Sequence, residues 1–178
     1  MAKIIRGIIS VLFGSWPQAN GTVNPIEWEV LKQDGNKALL IIKAMKPLIM
    51  RCFDSKSNVW ADSEIRRWLN GEFLDAAFTD DEKAAIYETE LPDVGTTDKV
   101  FLLSHEEAKK LFKDNKARRV KFGRAYRWWW LRSPGDAQRS AEGVNKDGSL
   151  PDIRNVSRGD RVVRPALWVN LDSDIFKS

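Results

Sequence analysis

Apolar positions early in the chain alternate with polar ones. Ile4 to Phe13 is rich in β-branched residues and closes on Gly14-Ser15 and Pro17, which predicts a strand ended by a turn. Pro25-Ile-Glu-Trp-Glu-Val-Leu31 places Ile26, Trp28 and Val30 at period two, the pattern of a half-buried strand, with Glu27 and Glu29 on its wet side. Asp34-Gly35-Asn36 then signals a turn before Ala38-Leu-Leu-Ile-Ile42, so the two runs predict a hairpin. Helical spacing follows. Asp62 or Ser63 can cap a segment with Ile65, Trp68 and Leu69 on one face, continued past Gly71 by Phe73, Leu74, Ala77 and Phe78. Thr79-Asp-Asp-Glu82 and Ser104-His-Glu-Glu107 both fit the capping box, predicting helices to about Tyr87 and about Phe112, with a strand over Val100 to Leu103 leading into the second.

Beyond Lys121 the helical period is lost. Trp128 to Leu131 predicts a strand, Asn145-Lys-Asp147-Gly148 a turn, and Val162 to Leu171 a strand interrupted at Pro165. Between the apolar blocks around Trp129 and Leu167 lie about thirty residues of Arg, Asp, Ser, Asn and Gly with almost no apolar periodicity, which is how loops that recognise a ligand look when a rigid frame positions them. Strands, then helices, then irregular strands and loops define an α+β chain of small antiparallel sheets with two or three supporting helices and a long irregular C-terminal region.

At 178 residues the length prior is one domain, 1–178, able to bury a real core. Eight tryptophans are spread along it, and Trp16, Trp28, Trp68, Trp130 and Trp168 are expected to meet in that core. In the triplet Trp128-Trp129-Trp130 the strand period sends the middle ring opposite the outer two, so at least one ring is expected at the surface. Beside Tyr126 and Arg127 such a ring would make a binding anchor. The net charge of +4 is mild, and its densest run, Lys113 to Arg127, reads first as a solvated helix end and loop and second as a nucleic-acid contact.

Catalytic and metal chemistry finds few side chains to work with. Cys52, the only cysteine, excludes a disulfide framework and sits in the apolar stretch Ile49 to Phe53, which predicts a buried, inert thiol. His105, the only histidine, falls at the first position of a helix, so neither a zinc site nor a nucleophile–histidine pair is expected. No Gly-rich phosphate loop occurs, and Asp172 and Asp174 are weak cation ligands. The run from Met1 to Phe13 lacks a cleavage site and is interrupted by Gly7 and Ser10, so it is not read as a secretory signal. No apolar run reaches membrane-span length. The expectation is a soluble protein with no cofactor, its location left open.

Seven stretches together carry a family resemblance: Phe13-Gly-Ser-Trp-Pro-Gln18, Pro25 to Leu31, Ala38 to Ile42, Ile65-Arg-Arg-Trp-Leu-Asn70, Asp98-Lys-Val-Phe-Leu-Leu-Ser104, Trp129-Trp-Leu-Arg-Ser-Pro-Gly135 and Val163-Arg-Pro-Ala-Leu-Trp168. Over nearly its whole length the chain resembles the bacterial and phage domains of C-type lectin-like fold, some of which are variable proteins of diversity-generating retroelements. The resemblance implies a non-enzymatic recognition protein whose C-terminal region, 124–168, carries the ligand surface, rewritten at adenines while the frame stays fixed. The frame would be Trp129 to Gly135, Val144, Gly148 and Val163 to Leu171. The exposed ligand-binding candidates would be Arg124, Tyr126, Arg127, Asp136, Arg139, Ser140, Asn145, Asp152, Arg154, Asn155, Ser157, Arg158, Asp160 and Arg161.

Gln138, Glu142 and Lys146 cannot be reached from an Asn codon by changing adenines and would be fixed, and Trp128 stands where a smaller or variable residue is expected. The implied partner is a protein on a cell surface or another macromolecular ligand. The alternatives are a domain of the same fold with a fixed ligand or structural role, and a nucleic-acid-binding module using 113–127. Formylglycine-generating enzymes of this fold need two cysteines, and its calcium lectins use a Glu-Pro-Asn type motif; neither is present.

Overall fold

In the computed structural model the described residues are 3–4, 10–17, 21–44 and 49–177. The chain is a mixed α+β fold built on two five-stranded sheets, in orders β1-β2-β3-β4-β14 and β12-β11-β10-β13-β5. The first half supplies β1 (Lys3–Ile4), β2 (Ser10–Pro17), β3 (Val23–Asp34), β4 (Lys37–Ile42) and β5 (Ile49–Met50). The expected strand Ile4 to Phe13 lies outside the described residues at 5–9. Its second part does not stop at Gly14: β2 continues to Pro17 through a register shift between Leu12 and Ser15, and the Gly14 N–H donates to Glu82 at 3.2 Å. The predicted hairpin is β3–β4, with Asp34 opposite Lys37 across the Gly35-Asn36 turn.

The predicted helix starts are the helix starts observed. Ser63 caps α1 (Glu64–Trp68) by accepting from the Arg66 N–H at 3.2 Å. That helix runs through a π turn, Leu69–Phe73, into α2 (Leu74–Ala77), so Ile65, Trp68, Leu69, Phe73 and Ala77 all reach the core. Both capping boxes form, opening α3 (Asp80–Ala85) and, beyond the small hairpin β6 (Thr89–Leu91)–β7 (Thr96–Asp98), α4 (His105–Leu111). The stretch Val100 to Leu103 is buried but is not a strand. Only Phe101 bridges Ala166, and the Asn70 side chain accepts from the Lys99 and Val100 N–H groups at 3.0 Å each, replacing a ladder partner.

A short helix absent from the sequence expectation, α5 (Asn115–Arg118), precedes the hairpin β8 (Val120–Phe122)–β9 (Ala125–Arg127). The C-terminal part then gives β10 (Trp129–Pro134), β11 (Ser140–Val144), β12 (Asp152–Asn155), β13 (Val162–Val163) and β14 (Ala166–Asn170). The break at Pro165 is where the chain leaves the second sheet and joins the first. Pairing is antiparallel except between β10 and β13.

Trp28, Trp60, Trp68, Trp129 and Trp130 are buried, whereas Trp16 and Trp168 pack at the core margin, half-buried. Both faces of β10 are covered, so Trp129 and Trp130 are enclosed on opposite sides and only Trp128 is half-exposed. Each enclosed indole has its N–H satisfied, Trp129 by the Arg118 carbonyl and Trp130 by the Arg51 carbonyl, both at 2.9 Å. Cys52 is half-buried rather than enclosed. No helix among the described residues is long and apolar enough to cross a membrane.

Candidate functional site

Strand β12 forms the outer edge of the second sheet, and its register sets Asn155 opposite Ser140, Arg154 opposite Ala141 and Asp152 opposite Gly143. Below this edge Ala141, Gly143, Val144, Val156, Val162 and Val163 are buried. Above it Asp136, Arg139, Arg154, Asn155, Ser157 and Arg158 are exposed. The division is not a simple pleat: Arg154, Asn155, Ser157 and Arg158 are exposed on either side of the buried Val156, and Asp152 is buried at the start of the strand.

Neighbouring loops pin the backbone that carries these side chains. Asn58 donates from Nδ2 to the carbonyls of Ala137 (3.0 Å) and Ser140 (2.8 Å), and its N–H donates to Gln138 (2.9 Å). The Val156 N–H donates to the Arg139 carbonyl, and the Val156 carbonyl accepts from the N–H groups of Phe53 and Asp54. Asp54 in turn accepts from Lys56, Ser57 and Glu64. Burial pushes the Asp54 carboxyl up, but these three N–H donors and the nearby Arg67 charge hold it below its ordinary value. Asn155 closes its own turn by accepting from the Ser157 N–H (3.0 Å) and hydroxyl (2.8 Å). The loop's backbone is thus fixed while Arg154 and Arg158 extend outward, paired with Asp152 and Asp160 respectively.

The candidates do not form one patch. Asp152 and Arg161, expected at the surface, are buried at 5% and 2% exposure and ion-paired with each other. Asp152 starts β12 and Arg161 precedes β13, and the pair is covered because the Arg161 side chain packs against tryptophan rings. The Arg161 guanidinium lies 4.9 Å from the Trp130 ring centroid and 5.7 Å from that of Trp128. Burial pulls its pKa down, with Asp152 opposing.

Ser140 and Asn145 are half-buried and serve turns: the Ser140 hydroxyl donates to Asp136 at 3.0 Å, and Asn145 accepts from the Gly148 and Lys146 N–H groups, both at 2.8 Å. Asp160, also half-buried, is held by Arg158, the main reason its carboxyl sits below the usual range.

Arg124, Tyr126 and Arg127 belong elsewhere. They sit on the β8–β9 hairpin, which is a separate two-stranded sheet tied to the first sheet's side of the fold by the Lys121 N–H to the Ala44 carbonyl at 2.8 Å. Arg124 and Tyr126 are exposed and Arg127 half-buried; Arg119, not among the candidates, stacks its guanidinium 3.6 Å from the Tyr126 ring centroid. Sequence reading also passed over the Asp54–Asn58 loop, although its Asp-Ser-Lys-Ser-Asn composition is a turn signal.

His105 Nδ1 lies 2.7 Å from Glu142 Oε2. The Ser133 hydroxyl accepts from the His105 backbone N–H at 2.9 Å. Among the described residues no three His, Cys, Asp or Glu side chains gather to hold a metal ion.

The β11–β12 edge is thus a structured sheet edge bearing exposed polar side chains on an enclosed frame. The family model described as "Domain of unknown function (DUF6273)" matches residues 35–171, and the chain belongs to that family. No curated protein and no solved structure matches the chain.

Proposed function

We propose that this chain is a non-enzymatic recognition domain of C-type lectin-like fold, resembling the variable protein of a diversity-generating retroelement, with its ligand surface on the β11–β12 edge. One observation carries the reading: Arg139, Arg154, Asn155, Ser157 and Arg158 are exposed around the buried Val156, on a backbone whose turns are bound to the 53–58 loop. Side chains on such a backbone can be exchanged at little cost in stability, because surface substitutions away from caps and buried pairs change folding by only about 0.5 kcal/mol. Binding to a preordered surface also avoids the cost of ordering a loop. The ligand class this favours is a macromolecule, such as a protein on a cell surface, because the surface is an open edge and not a pocket.

The test is the DNA flanking the gene. A second, near-identical copy of the codons for residues 124–168, differing at adenines and adjoining a reverse transcriptase gene, is the expected result. Its absence would remove diversification and leave a fixed-ligand domain. Asp152 and Arg161 should be invariant across such copies, since each is buried against the other.

A further inference from the structure

Away from the β11–β12 edge, a cleft of about 370 Å³ opens beneath the β8–β9 hairpin. Its described walls are Ser10 of β2, Glu29 of β3, Lys43 and Ala44 after β4, Lys116 and Ala117 of α5, Arg119 and Tyr126. The volume falls in the range of small-molecule sites, roughly 300–1,000 Å³.

The charges around it are unevenly matched. Lys43 is ion-paired with Glu27, and Glu29 accepts from the buried Arg164 at 3.2 Å. Lys116 and Arg119 have no carboxylate within ion-pair distance among the described residues, nor do Lys121 and Arg124 on the hairpin above. Arg119 Nε is buried without an acceptor among the described residues. Of these two cations Arg119 is fixed in place, and the backbone that carries the exposed Lys116 side chain is held. Arg119 is stacked on Tyr126, and α5 is held by its Asp114 cap (2.7 Å to the Ala117 N–H) and by Arg118 Nε donating to the Gly148 carbonyl at 2.8 Å.

We propose that this cleft binds the phosphate group of a small phosphorylated ligand. A phosphate dianion matches the two unpaired charges of Lys116 and Arg119, where a single carboxylate would leave one uncompensated, and Arg119 and Ser10 supply hydrogen-bond donors. Glu27 and Glu29 stand beside the cleft, and Asp147 is near enough to act on Arg119 through its charge. Glu27 and Glu29 are each met by a cation of their own, Lys43 and Arg164, which leaves Lys116 and Arg119 to an incoming anion. The site is separate from the β11–β12 edge and does not depend on that edge's role.

Titration calorimetry on the whole chain, with inorganic phosphate, a hexose phosphate and the unphosphorylated hexose, tests the proposal. The hexose phosphate should bind, inorganic phosphate more weakly, and the free hexose not at all. Lys116→Gln and Arg119→Gln should each weaken binding about tenfold, as loss of one charge-assisted contact does, while Arg154→Gln leaves it unchanged. Because Arg119→Gln also removes the Tyr126 stack, Lys116→Gln decides: its side chain is exposed, and its unfolding midpoint should match that of the parent chain. No heat with either phosphate, binding unaffected by Lys116→Gln, or tighter binding of single-stranded DNA with a steep salt dependence would each overturn the proposal.

Discussion

The Arg161 guanidinium donates through Nη2 to the Asp152 carboxylate inside the second sheet, and both side chains are almost fully enclosed. Arg161 Nε and Nη1 have no acceptor among the described residues, so Asp152 and the Trp130 ring bear most of the charge's compensation. Removing one member of a buried pair strands the other. Arg161→Ala should therefore cost about 3–5 kcal/mol, read as a lower urea midpoint at unchanged slope. The double replacement Asp152→Asn/Arg161→Met should recover part of that loss, since neither residue then leaves a bare charge. A double variant no more stable than Arg161→Ala would show that the pair is more than charge compensation.

Gly148 has a φ of +87°, and a Cβ there would lie 1.7 Å from the Asn115 carbonyl oxygen, a backbone atom of α5. Neither the conformation nor the neighbour can give way. Gly148→Ala is expected to destabilise the chain by about 3 kcal/mol or more. Gly159, with open space around its position, should accept alanine within about 0.5 kcal/mol. Thermal unfolding of the two variants side by side checks the contrast.

Arg132 on β10 holds three elements together. Its Nε and Nη2 form a fork to Asp93 at 2.9 Å each, Nη1 reaches Glu107 of α4 at 2.6 Å, and Nη1 also donates to the Leu102 carbonyl at 2.8 Å. Arg132 is 3% exposed, but Asp93 and Glu107 are 41% and 35% exposed at the side chain and can hydrate once it is gone. Arg132→Met should accordingly cost about 2–3 kcal/mol, less than a fully enclosed pair. It should also speed hydrogen exchange in α4, whose capping glutamate is the residue that Arg132 orients.

Asp54 ties acid stability to the candidate site. Its carboxyl is depressed in the folded state, so its contribution is fully present above the ordinary carboxylate pKa and is lost as pH falls through the lower, folded value. Asp147 and Asp160 are depressed in the same sense, by Ser149 and by Arg158 respectively. Stability should thus decline on acidification below about pH 4. Asp54→Asn should cost about 1–2 kcal/mol at pH 7, as loss of a charged helix-start acceptor does, and narrow the difference between neutral and acid stability. An unchanged acid limb in that variant would remove Asp54 from the account.

Much of this architecture was legible in residues whose signal is local. Thr79 with Glu82, and Ser104 with Glu107, announce helix starts because a reciprocal cap needs only four neighbouring residues. The Asp34-Gly35 turn and Pro165 break are local in the same way. What failed depends on contacts distant in sequence. Val100 to Leu103 reads as a strand, but the Asn70 side chain, thirty residues earlier than Val100, takes its N–H groups. Asp152 and Arg161 read as polar and therefore exposed, because nothing nearby reveals that they will pair with each other against the Trp130 ring. Tyr126 and Arg154 share a polar segment of sequence but lie on separate sheets, since β9 pairs only with β8. Alternation identifies the exposed positions of a strand; it does not say which strands become neighbours.

Unfolding of the triple variant Arg139→Ala/Arg154→Ala/Arg158→Ala beside Arg161→Ala tests the division between frame and surface most directly. The triple variant should unfold within about 1 kcal/mol of the parent chain, because its three side chains stand in water: Arg158 pairs with the half-buried Asp160, and the buried Asp152 that Arg154 reaches keeps Arg161 as its partner. The single Arg161 variant should lose several times as much. A triple variant as unstable as Arg161→Ala would mean that the β11–β12 edge holds the fold together and is not a replaceable recognition surface.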